Sequence, residues 1–111
     1  MQEDHVSMGW SGARKLRRAV DGLTRVLAIE ILTAARGIDL RAPLQPAPGT
    51  GAVVRAVREQ VAGPGTDRFL APEIEQVVTL AASGALVAAA IGARNSGSRS
   101  STRNGRPIRS R

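Results

Sequence analysis

Ser11 to Gly37, SGARKLRRAVDGLTRVLAIEILTAARG, is the stretch from which the fold of this chain follows. Leu16, Val20, Leu23, Leu27, Ile31, Ala34 and, one residue beyond, Ile38 recur at gaps of three and four, the period of one helical face. Arg14, Arg18, Asp21 and Arg25 fall on the opposite side with the same spacing, which places Asp21 within a turn of arginines it can pair with. From Val26 to Ala35 the polarity nearly vanishes: apolar side chains point in every direction and leave only Glu30 and Thr33. A helix apolar all round requires burial on all sides. At about 1.5 Å per residue this one is roughly 40 Å long. The short helices that follow cannot enclose it, so partners outside this chain are expected.

Working outward, Ser7 and Ser11 are candidate N-caps, because a serine oxygen accepts from the free amides of a first turn. Gly37 suits the other end. Beyond it, Pro43, Pro46 and Pro48 each lack an amide donor and bias the preceding residue toward extended geometry, so an ordered crossing is expected there. A second helix is predicted over about Thr50 to Ala62, with Val53, Val54, Val57 and Val61 inward and Arg55, Arg58 and Glu59 outward. Gly63-Pro64-Gly65 ends it. Pro72 then opens a third helix, with Glu73 and Glu75 favourably placed near its N-terminus and Ile74, Val77, Val78 and Leu80 on its apolar side. Ser83-Gly84 breaks that helix, and Ala85 to Ile91 makes a short fourth. The expected fold is all-α, one long central helix with two or three shorter ones over residues 1–91. Residues 92–111, rich in Gly, Ser, Asn and Arg without apolar period, are expected to be a disordered basic tail.

Composition narrows the chemistry. The net charge of +7 resides in the tail, whose six arginines face no acid; the rest holds ten basic against nine acidic residues. With no cysteine and one histidine, neither a disulfide framework nor a zinc site of the usual kind can form, and no metal is expected. No apolar run reaches the roughly 18 residues of a membrane helix, and the charged start lacks the layout of a signal peptide. A cytoplasmic setting is therefore expected. Asp4, His5 and Ser7 are the residue types of a hydrolase triad, but neighbours in sequence point different ways and triads assemble in space. Gly63-Pro64-Gly65-Thr66 lacks the Lys-Ser/Thr of a phosphate loop and reads as a turn. Arg14, Lys15, Arg17 and Arg18 read as a solvated or salt-bridged helix face. Taken alone, Glu3 reads as a solvated carboxylate at a helix start.

Several separated motifs occur in order: Gln2-Glu3-Asp4-His5-Val6-Ser7-Met8-Gly9, Ala13-Arg14-Lys15-Leu16-Arg17, Leu27-Ala28-Ile29-Glu30, and Asp67-Arg68-Phe69-Leu70-Ala71-Pro72-Glu73-Ile74-Glu75. Together they resemble the C-terminal part of histidine ammonia-lyase, without interruption from Met1 to about Val87. The resemblance points to the histidine branch because Gln2-Glu3-Asp4 stands where phenylalanine and tyrosine lyases carry Asn-Gln-Asp. It implies elimination of ammonia from L-histidine to give trans-urocanate, in a homotetramer whose active sites draw on several subunits. It also implies a catalytic and substrate-binding role for Glu3 near the imidazole, with Gln2, Asp4 and His5 orienting that segment.

The family makes its electrophile, a methylidene-imidazolone, from an Ala-Ser-Gly in the N-terminal part. Ala82-Ser83-Gly84 lies in the wrong place for that and reads as a helix terminus. Met1 reads as an internal methionine of a longer family member. This chain alone is therefore expected to be inactive, and the arginine-rich tail departs from the family. Two competing readings are a small protein binding nucleic acid through that tail, which the scarcity of aromatic side chains disfavours, and a structural partner contributing its helix to a split lyase.

Overall fold

The computed structural model describes the backbone of residues 2–100 and the side chains of residues 8–97. Four helices follow one another: α1 (Gln2–Asp39), α2 (Pro48–Arg58), α3 (Ala71–Ser83) and α4 (Ala85–Ser100), with no strand among the described residues. The all-α expectation holds. α1 is even longer than its apolar period requires, at about 57 Å.

Local chemistry sets most of the boundaries. Pro48 and Pro72 both sit in the first turn of their helices, where a missing amide costs nothing. α3 stops at Gly84, whose φ of 79° is left-handed backbone that a β-carbon would strain, and whose amide donates to Ala81 O. Glu73 lies in the first turn of α3, where its charge suits the helix dipole.

α2 packs chiefly on α4, and α3 chiefly on α1. The shared core is Ala28, Leu32 and Ala35 of α1, Val57 and Val61, Val77 of α3 and Leu86 of α4, with Ile31, Val53, Val54, Ile74, Val78 and Leu80 packed around it. No aromatic side chain takes part, so the core is thin. The radius of gyration is 21.6 Å and the longest extent 89 Å, against about 13 Å of gyration radius for a compact chain of this length. Most of α1 stands clear of the body.

Several expectations are corrected. Ser7 and Ser11 do not cap α1, since helix runs through both from Gln2; a serine marks a start only where the residues before it resist helix, and Gln2 and Glu3 are good helix formers. α2 begins two residues earlier than expected, at Pro48, and ends at Arg58. Arg58 is not outward: its side chain is largely buried. α4 does not stop near Ile91 but continues to Ser100, so residues 92–100 are helical. Once a helix is nucleated by docking, as α4 is on α2, each further residue costs little, and even Gly92 and Gly97 are carried along. Residues 101–111 lie outside the described residues. Asp21 makes no ion pair among the described residues; Arg25 instead pairs with Glu75 of α3.

The most consequential difference concerns which face of α1 is buried. Ala28, Leu32 and Ala35 are covered by the chain's own helices. At about 100° per residue, the apolar row running from Leu16 lies about a quarter turn away. Leu16 is 67% exposed, Leu23 59% and Leu27 44%, with Val20, Val26 and Ile29 similarly open. We therefore expect Leu16→Asp and Leu23→Asp to change the unfolding free energy of the isolated chain, read from urea titration, by no more than about 0.5 kcal/mol, whereas Val77→Asp, placing a charge in the core, abolishes the cooperative loss of helical circular dichroism.

Candidate active site

Glu3 lies in the first turn of α1; its side chain, and those of Gln2, Asp4, His5 and Ser7, lie outside the described residues. The backbone nevertheless fixes where this segment stands. From Met8 to Leu23 every side chain is exposed, and among the described residues Arg25, through Glu75, is the first of α1 held by an ion pair to another helix. Glu3 is about 33 Å of helix upstream of that tie. The segment is the tip of an arm.

Along the arm, Arg14 stacks over Trp10 with its guanidinium carbon 5.6 Å from the ring centroid, a cation–π contact worth about 0.5–1 kcal/mol at an exposed site. Trp10, Ser11, Arg14, Lys15 and Arg18 line a shallow recess of 260 Å³. Among the described residues Arg14, Lys15, Arg17 and Arg18 form no ion pair, so the basic run is a solvated face. No group of three His, Cys, Asp or Glu among the described residues is arranged to hold a metal.

Ala82-Ser83-Gly84 is a helix terminus in geometry as in sequence. Ser83 Oγ donates to Leu80 O at 2.9 Å and accepts from the Ala85 amide at 3.3 Å. The Gly84 amide donates to Ala81 O at 3.3 Å, closing the helix.

Sequence reasoning missed the arginine clamps around the 59–70 crossing. Arg58 Nε donates to Asp39 Oδ2 at 2.8 Å, Nη2 sits 2.6 Å from the same oxygen, and Nη1 donates to the carbonyls of Val61 and Ala62. Arg68 donates through Nε to Glu73 and through Nη2 to Ala62 O and Gly63 O at 2.9 and 3.1 Å. One planar guanidinium thus ties α1 to the end of α2, and the other ties the crossing to α3. The signal in the sequence was an arginine bordering each end of a Gly-Pro-Gly stretch whose carbonyls have no helical partner. The Glu73 hydrogen bond, opposed by desolvation and aided by the carboxylate charge, raises the Arg68 pKa above its ordinary value. The contribution of that guanidinium therefore does not fade with rising pH until the ordinary arginine range is passed. Phe69, beside the clamp, is 82% exposed.

Residues 1–59 match the sequence model of the family described as aromatic amino acid lyase. The chain belongs to that family. Similar lyases include the histidine ammonia-lyase of Streptomyces avermitilis, 58% identical over 91 residues, which are 81% of this chain and 18% of the relative. The histidine ammonia-lyase of Streptomyces coelicolor is 59% identical over the same shares, and that of Symbiobacterium thermophilum 50% identical over 79% of this chain and 17% of its own. The chain spans less than a fifth of the length of these curated lyases. No solved structure matches it. Within the lyase segment, the clamp makes a local prediction: Arg68→Lys, which cannot serve two carbonyls and a carboxylate from one plane, speeds hydrogen exchange and proteolysis across residues 59–70 with little change in helical content.

Proposed function

We propose that this chain constitutes the C-terminal helical part of a histidine ammonia-lyase, the enzyme that eliminates ammonia from L-histidine to give trans-urocanate, and that Glu3 lies in its active site beside the substrate imidazole. The observation that carries this reading is the exposure of the arm: the first half of α1 bears the family motif, and among the described side chains every one from Met8 to Leu23 is exposed. A carboxylate so placed needs a pocket built by other polypeptide, and relatives about five times longer have the polypeptide to build it.

Inside such a pocket Glu3 has two available roles. As a carboxylate it accepts a hydrogen bond from the imidazole N–H, fixing the ring; as burial raises its pKa it becomes able to exchange a proton near neutrality. The helix N-terminus works the other way, favouring the charged form. Gln2, Asp4 and His5 share the first turns of α1 with Glu3 and so orient it. By resemblance, the methylidene-imidazolone that activates the substrate comes from an Ala-Ser-Gly in the part of the lyase this chain does not span. Ala82-Ser83-Gly84 is not that source. The complete enzyme, again by resemblance, is a homotetramer in which α1 joins a bundle of long helices.

The isolated chain is therefore inactive. A urocanate assay of the purified chain is expected to give no turnover, while mixing it with the part of the S. avermitilis enzyme that it does not span restores formation of urocanate. In that mixture Glu3→Gln lowers kcat by about 10²-fold or more, the size of effect for a positioned acid–base group. Turnover by the chain alone, or no gain on mixing, contradicts the reading.

A further inference from the structure

Glu30 is the one charge in the middle of the uncovered side of α1. At about 100° per residue, Val26 and Ile29 lie to one side of it and Leu23, Leu27 and Ala34 to the other, all five exposed. Its neighbours one turn away are Val26, Leu27, Thr33 and Ala34, none of them charged, and the Thr33 hydroxyl donates to Ile29 O instead. Among the described residues Glu30 has no ion pair and no side-chain hydrogen bond, although Arg25 and Arg58 each find an acid partner. An apolar surface this broad is left open in a finished protein only for a partner to cover. Whatever covers it takes the Glu30 carboxylate out of water, and a buried carboxylate is tolerated only when paired.

We propose that the uncovered side of α1 is the docking surface for a segment of the lyase outside this chain, and that this segment carries an arginine or lysine within an apolar stripe, set opposite Glu30. Charge complementarity identifies the chemistry of the occupant, and the missing four-fifths of the relatives' length supplies it. This rests on reading the chain as part of a longer lyase. A membrane surface fits poorly, because the carboxylate would be carried into the acyl boundary while Arg14, Arg18 and Arg25 point elsewhere. A second α1 laid on the first fits less well than a separate segment: the open arc spans about half the helix circumference at this level, wider than a two-helix seam, so an antiparallel copy setting Lys15 opposite Glu30 leaves part of it bare.

The test measures binding of the full chain to the part of the S. avermitilis histidine ammonia-lyase that it does not span, for the wild type and for Glu30→Gln, Glu30→Leu and Glu30→Lys, with Arg18→Gln as a control on the far face. Glu30 is exposed in the chain alone, so its variants retain helicity by circular dichroism. The expected result is at least tenfold weaker binding for Glu30→Leu and Glu30→Lys, a smaller loss for Glu30→Gln and none for Arg18→Gln. Tighter binding by Glu30→Leu overturns the inference, because it means the cover is wholly apolar. Self-association of the chain that is lost in Lys15→Glu and regained when Glu30→Lys is added overturns the choice of occupant in favour of a second copy. No binding by the wild type defeats the lyase reading itself, whereas binding indifferent to Glu30 defeats only this inference.

Discussion

One-sided burial of α1 is the constraint on which the rest of the structure depends. Ala28 and Ala35 are small enough to let α3 approach closely, and with Leu32 they are the α1 residues in the buried core among the described residues. That contact occupies the last third of a helix about 57 Å long. Everything upstream is supported by its own backbone hydrogen bonds, with the Arg25–Glu75 pair marking where the body ends. The exposure of the arm is the ground for our proposal that it belongs within a larger assembly.

The body serves to aim that arm. Its core of alanine, valine and leucine reaches the 59–70 crossing through Val61, and two guanidinium groups bind the carbonyls that follow. Arg58 joins Asp39 at the end of α1 to the last carbonyls after α2, and Arg68 joins the crossing to Glu73 at the start of α3. Each group is shielded enough to matter more than a surface pair. Direction therefore passes from α2 and α3 into α1 through charge as much as through packing.

The helices were legible because period, proline and glycine act locally. The gaps of three and four gave α1, Pro72 opened α3 and Gly84 closed it, each by a mechanism confined to a few residues. The tertiary facts were not. Leu16, Val20, Leu23 and Leu27 announce an apolar face but not which partner takes it, and in a helix apolar all round the chain's own helices settled on Ala28, Leu32 and Ala35 instead. Asp21 could reach arginines within its helix, yet Arg25 found Glu75, fifty residues away. Serine at positions 7 and 11 suggested a start that the preceding residues did not respect. Glu3 was readable as a site only through its motif, since a carboxylate at a helix start is ordinarily just solvated.

The central claim is that the first half of α1 is incomplete without polypeptide from elsewhere in the lyase. Hydrogen exchange of the amides of residues 8–24 tests it most directly, measured on the isolated chain at a concentration where sedimentation shows a monomer and again after adding the rest of a histidine ammonia-lyase. The account predicts rapid exchange over 8–24 in the monomer, slower exchange around Ala28 to Ala35, and strong protection of the whole helix in the mixture. Equal protection along α1 in the monomer, unchanged by the addition, contradicts it.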